Sequence, residues 1–249
     1  MLSRKKFNFN LVMISTNKQG SVEVYFSEFS KHDALESWLD LNIFEQSRAS
    51  KFTQEQDQMA FAIVRSVLKR ILSEKIGISI QEITFFQNRY GKLSCPQAPN
   101  LHFSIAHTEE VFVLAFSKDG QIGVDIESMH RVFAMEKLKQ LVFTENERSI
   151  FLDLLSDDEK QRKCLQTWTQ KEALTKCLGI TLQEGMQAFE IEEVGGRHLA
   201  RSNSDRSSIF SLKTIEIDSY LLSICSTNMH EIDIQLNNIE VHHSTPFFV

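Results

Sequence analysis

Two periodicities organise this chain. Short runs with apolar residues at alternate positions read as half-buried strands near 22–26, 83–87 and 102–106, and again near 188–193, 208–217 and 220–225. Runs with apolar residues recurring every three to four positions read as helices around 31–40, 53–76, 135–142, 144–155 and 159–178. In the second of these helices Phe61, Val64, Leu68, Ile71 and Leu72 form a stripe for burial, and Thr53 with Gln56 makes a capping-box pattern at its start. Gly179 is placed to stop the last helix.

At the centre, Val111, Val113 and Ala115 alternate ahead of the turn signal Lys118-Asp119-Gly120, and Ile122, Val124 and Ile126 alternate after it. That pattern predicts a hairpin. On its second strand Asp125 and Glu127 share one face, while Val124 and Ile126 point into the core. A further stretch, from Gly195 to Ser208, is rich in turn formers and reads as a surface hairpin or loop. Phe52-Thr53-Gln54-Glu55-Gln56 is echoed 91 positions on by Phe143-Thr144-Glu145-Asn146-Glu147, which suggests two similar halves, each opening a helix with a capping box.

With 42% of residues hydrophobic and 24% charged, the chain can bury a sizeable core. No apolar run approaches the roughly 20 residues a membrane-spanning helix needs, and the first residues lack the apolar segment of a signal peptide. A cytoplasmic protein without a membrane partner is therefore expected. A net charge of −6 argues against a general nucleic-acid binder. Cys95, Cys164, Cys177 and Cys225 show no metal or redox spacing and read as reduced packing residues. His230, His242 and His243 lie in what reads as a solvated tail.

The candidate chemistry is acidic. Asp125 and Glu127 on a strand and Glu172 on a helix are hard oxygen donors suited to Mg²⁺, an ion that commonly bridges carboxylates and substrate phosphates. Lys176 shares a helix face with Glu172 at i,i+4. Taken singly, each piece has an ordinary reading: an Asp-x-Glu pair arises by chance, and a Glu-Lys pair at this spacing is usually a solvated surface. A second group of charges, Arg48, Lys51, Arg65 and Lys69, surrounds the 53–76 helix, where anion binding competes with plain solvation.

The two acidic segments, with their neighbours, resemble the signatures of the surfactin-synthetase type of 4′-phosphopantetheinyl transferases: an acidic strand of the form (I/V)-G-(I/V)-D-x-E at 122–127, and (F/W)-(S/T/C)-x-K-E-(A/S)-x-x-K at 168–176. Tyr90-Gly91-Lys92 and Phe103-Ser104-Ile105-Ala106-His107-Thr108 resemble two further segments of the family, with Leu93 in place of its proline and Ala106 in place of its serine. The resemblance runs from about 44 to 225.

It implies an α+β fold made of a pseudo-twofold pair of α/β subdomains, here 1–118 and 119–228, followed by a tail at 229–249. It also implies transfer of 4′-phosphopantetheine from coenzyme A to a serine of an apo acyl or peptidyl carrier protein, with release of 3′,5′-ADP, by a monomeric enzyme. By the same resemblance Asp125, Glu127 and Glu172 bind Mg²⁺. Glu172, or failing that Glu127, takes the serine proton, and Lys176 contacts the diphosphate. Arg48, Lys92 and His107 are the remaining expected contacts to coenzyme A. Trp168 is expected to be packing and Lys171 to point away from the site. Two other classes stay open: a different Mg²⁺-dependent phosphotransferase, which the absence of a GxxxxGK(S/T) loop disfavours, and a module that binds coenzyme A or a carrier without catalysis.

Overall fold

The computed structural model describes residues 21–29, 31–132, 140–152 and 156–238. They form a mixed α+β fold of four layers, helix, sheet, sheet, helix. In chain order the elements are β1 (Ser21–Glu28), α1 (Lys31–Asp40), α2 (Ile43–Ala49), α3 (Glu55–Ile76), β2 (Phe86–Gln87), β3 (Leu93–Ser94), β4 (His102–His107), β5 (Val111–Ser117) and β6 (Ile122–Ser128). The chain continues through α4 (Glu145–Leu152), α5 (Asp157–Leu178), α6 (Leu182–Met186), β7 (Phe189–Val194), β8 (Arg197–Ser202), β9 (Ile209–Ile217), β10 (Tyr220–Ser226) and β11 (Asp233–Asn238).

Alternation explains the layering. On β1, Val22, Val24 and Phe26 meet Val124 and Ile126 of β6 and Leu222 and Ile224 of β10 in a core between the two sheets. On its other face Tyr25 packs with Ile63, Leu68 and Leu72 of α3. In the second half Ala173, Leu174 and Cys177 of α5 pack on Leu212 and Cys225 of the second sheet. Each sheet thus buries both faces, one against a helix and one against the other sheet.

The first sheet has the order β11-β1-β5-β4 and the second β6-β10-β9-β8-β7. The hairpin expected at 118–120 is therefore not formed. β5 lies inside the first sheet, paired with β1 and β4, whereas β6 pairs with β10 in the second. The turn carries the chain from one sheet to the other, and the sheets meet where Ser104 Oγ of β4 accepts the Val124 N–H of β6 at 3.0 Å.

Two more expectations differ. The capping box at Thr53 is absent: α3 begins with Gln54 as its cap and no side-chain capping bond. Residues 233–238, assigned by the sequence to a tail, form β11, which pairs in parallel with β1. Of the helix expected at 135–142, residues 135–139 lie outside the described residues, as do 153–155 at the end of the next helix and His242 and His243.

The internal repeat is real, but its register is 102 positions rather than 91. α3 and α5 both span 22 residues and end at left-handed glycines, Gly77 (φ 73°) and Gly179 (φ 65°). Asn42 and Glu45 make a reciprocal capping box at the start of α2, and 102 positions on Thr144 and Glu147 make one at the start of α4. In each half the capping glutamate also binds a fully buried lysine of the long helix, Lys69 to Glu45 at 3.1 Å and Lys171 to Glu147 at 2.6 Å. Each lysine also donates to a backbone carbonyl at equivalent places, Asp40 and Val142, both at 2.6 Å.

Candidate active site

Gly123 sets the geometry. A Cβ there would lie 1.9 Å from the carbonyl oxygen of Ala173 and 2.3 Å from the amide of Cys177, so β6 and α5 touch backbone to backbone. Two residues further along β6, Asp125 and Glu127 face the helix. From α5, Trp168, Glu172 and Lys176 answer them, spaced four apart on one stripe. The contact needs glycine because any side chain would force strand and helix apart.

Lys176 Nζ donates to Asp125 Oδ1 at 2.7 Å and lies 3.8 Å from Glu172 Oε2. Glu127 Oε1 accepts from the indole N–H of Trp168 at 3.0 Å and from the Arg131 guanidinium, whose Cζ sits 5.4 Å above the Trp168 ring. Asp125 is buried, and among the described residues its Oδ2 has no hydrogen-bond partner. Burial, opposed by Lys176 and reinforced by Glu172 and Glu127, pushes the Asp125 carboxyl up to about 7. Burial raises Glu172 as well, again against the pull of Lys176. Lys176 itself stands above the ordinary lysine range, since Asp125 and Glu172 outweigh the effect of its burial. Among the described residues no three His, Cys, Asp or Glu side chains are gathered as a ready metal cage; two internal cations, Lys176 and Arg131, hold the carboxylates instead.

Beside Lys176 opens a cleft of about 270 Å³ between the two halves, lined by Tyr90, Gly91, Ser104, Thr175, Lys176 and Ile180 among others. The turn at its edge is clamped across the halves, with Asn88 donating to the Gly179 carbonyl at 3.1 Å and Tyr90 to Glu184 at 3.2 Å.

The remaining expected ligand residues fare differently. Lys92 does line the cleft, but its ammonium donates to the carbonyls of Ile122, Lys176 and Cys177 at 3.0, 2.8 and 2.7 Å. With three acceptors already bound it ties the end of α5 to β6. Arg48 donates to Gln87 at 2.8 Å and stands over the Phe61 ring. His107 is exposed at the end of β4, with Nδ1 3.2 Å from the Thr108 carbonyl. Neither lines this cleft. Of the other basic residues near α3, Lys51 is exposed, whereas Arg65 and Lys69 are buried against Glu45. Ala106 is buried in the inter-sheet core.

Lys171 points away from the acids, as expected, and Trp168, read as packing, also holds Glu127. Sequence reasoning missed Arg131. Its signal was available in principle, an arginine four residues after a strand-end glutamate, but the chain leaves β6 between them and no helical spacing rule applies there.

The described residues contain no helix long and apolar enough to cross a membrane. The sequence profile of the 4′-phosphopantetheinyl transferase superfamily matches residues 121–225, the stretch from the crossover turn to the end of β10. The chain is 29% identical over 198 residues to the 4′-phosphopantetheinyl transferase ffp of Bacillus subtilis, covering 78% of this chain and 84% of that protein. It is 24% identical over 184 residues to the transferase Sfp of Bacillus subtilis strain 168, covering 73% and 80%. It is also 30% identical over 155 residues to the transferase pptA of Paxillus involutus, covering 55% and 59%. Among solved structures, a holo-(acyl-carrier-protein) synthase from Bacillus anthracis aligns with 42% of this chain and 92% of its own, at a TM-score of 0.37 and 20% identity.

Proposed function

We propose, from the premise that this chain belongs to the 4′-phosphopantetheinyl transferase superfamily, that it transfers 4′-phosphopantetheine from coenzyme A to a serine of an apo acyl or peptidyl carrier protein and releases 3′,5′-ADP. The observation that carries this reading is the cluster at Gly123: Asp125, Glu127, Glu172 and Lys176 brought together beside an open cleft.

The donors fit a hard divalent cation, because all are carboxylate oxygens and one of them, Asp125 Oδ2, is buried without a partner among the described residues. In this reading Asp125, Glu127 and Glu172 hold Mg²⁺, which when bound offsets negative charge on the diphosphate under attack.

The chain's own residues supply the rest. As the serine oxygen bonds to the β-phosphorus, its proton passes to a carboxylate. Glu172 is the first choice; Glu127, already tied to Trp168 and Arg131, is the second. The bond from the β-phosphorus to the departing nucleotide oxygen breaks, and Lys176 stabilises the charge that develops there. Arg48 and His107 remain proposed contacts to more distant parts of coenzyme A. The protein is read as a cytoplasmic monomer whose two halves, 1–118 and 119–228, frame the donor between them.

Incubating an apo carrier protein with this chain, coenzyme A and Mg²⁺, then weighing the intact carrier, tests the proposal. A gain of one phosphopantetheine that EDTA abolishes is expected. A carrier of unchanged mass across acyl and peptidyl types, with coenzyme A still bound by the chain, points instead to a binding module.

A further inference from the structure

We propose that Arg131 is a displaceable counter-ion for the metal centre: it holds Glu127 while no divalent cation is present and must release that carboxylate when one binds. The inference rests on the metal reading above and concerns a residue outside the motifs that suggested it.

Three observations place Arg131 in this role. Its guanidinium bonds Glu127 Oε1, the same oxygen that accepts from Trp168, so this carboxylate is oriented by a fixed donor and neutralised by a movable one. The Arg131 side chain is 42% exposed while Glu127 is 14% exposed. An arginine half in water is easily re-solvated, and the pair is correspondingly weak. Finally, the guanidinium lies over the Trp168 ring at 5.4 Å, a resting place that survives when the ion pair is broken.

Lys176 balances the other two acids and is positioned by both of them. Arg131 bonds Glu127 directly and acts on Glu172 through space. The carboxylates are thus shared between two internal cations. Closing them around Mg²⁺ requires the weaker partner to leave first. A positive charge at Arg131 therefore opposes metal binding, while the Trp168 indole, which stays, keeps Glu127 aimed at the site. Arg131 is a positioning residue in this scheme and takes no part in the chemical step.

The test is calorimetric titration of Mn²⁺ into the metal-free full chain, comparing wild type with Arg131→Gln and Arg131→Lys. Arg131→Gln should bind Mn²⁺ about three- to tenfold more tightly, the range expected for removing one competing, partly exposed charge, and Arg131→Lys should stay close to wild type. In a Trp38→Phe background Trp168 is the remaining tryptophan, so its emission should change on Mn²⁺ binding in the arginine protein and change less in Arg131→Gln. Equal affinities for wild type and Arg131→Gln would overturn the counter-ion. Absence of Mn²⁺ uptake by all three proteins would instead overturn the metal centre, and the counter-ion with it.

Discussion

Lys176 binds only one oxygen of Asp125, at 2.7 Å, and leaves the other, Oδ2, buried and without a partner among the described residues. A half-satisfied buried carboxylate has a definite signature in pH. Its ordinary value is 3.8, and the folded protein holds it at about 7. Between those values the folded state keeps a proton that the unfolded chain has released, so stability of the metal-free protein falls as pH rises through this window. Below it both states are protonated, above it both are ionised, and the contribution is flat.

Urea denaturation in EDTA at several pH values checks this. The stability difference between wild type and Asp125→Asn should change by up to about 1.4 kcal/mol per pH unit between pH 4 and 7 and stay constant from pH 8 to 9. A difference that does not vary with pH would mean that Asp125 titrates normally.

Gly123 makes a second prediction. Its missing Cβ is the contact between β6 and α5, with carbonyl and amide atoms at 1.9 and 2.3 Å. Backbone cannot yield as a flexible side chain does. Gly123→Ala should therefore destabilise the fold by on the order of 3 kcal/mol or more and, where it still folds, separate Asp125 and Glu127 from Glu172. Thermal denaturation, with metal binding on the folded fraction, measures both effects. Wild-type stability in this variant would show that strand and helix are not in backbone contact.

What could be read from the sequence divides along a physical line. The face of Asp125 and Glu127 was legible, because strand alternation is local and Val124 and Ile126 mark the core side. So was the helix face joining Glu172 to Lys176. The partner of β6 was not: alternation at Val111–Ala115 and Ile122–Ile126 says that each strand buries a face, but not that the two lie in different sheets. β11 was missed because Asp-Ile-Gln-Leu-Asn-Asn is polar enough to read as a tail; pairing with β1 supplies what composition does not. α2 was missed because Ile43 and Phe44 are exposed and seven residues give no periodicity.

The repeat sharpens the point about the site. At the 102-residue register Asp125, Glu127, Glu172 and Lys176 correspond to Glu23, Tyr25, Arg70 and Glu74. An arginine in place of Glu172 and a glutamate in place of Lys176 reverse the charges across the pair. The first half therefore shares the scaffold without the acidic centre, and instead joins Lys75 to Glu23 at 2.5 Å.

Lys92 provides a test that separates ligand contact from scaffold. The carbonyls of Lys176 and Cys177 at the end of α5 and of Ile122 at the start of β6 accept its protons, and all three would lose this donor in Lys92→Met. Denaturation without any coenzyme A should show a loss of about 1–3 kcal/mol. If stability is unchanged and only coenzyme A affinity falls, Lys92 is a ligand contact after all.

The two buried lysines make the last prediction. Lys171 is fully buried with Glu147 at 2.6 Å and also donates to the carbonyls of Val142 and Met186. Glu147 in turn receives the amides of Thr144 and Ile191 at 2.8 Å each, so this one pair ties α4, α5, α6 and β7 together. Removing one partner strands the other charge in the interior, which typically costs about 3–5 kcal/mol, whereas removing both charges is far milder. Lys171→Met should therefore unfold at much lower urea than wild type, and Lys171→Met with Glu147→Gln should recover a good part of the loss. Lys171 stands next to Glu172 in the sequence, so activity alone would confuse the two roles, and only the double variant separates them. A Lys171→Met protein of wild-type stability, or a double variant no better than the single one, would show that the charge pair does not hold these elements together.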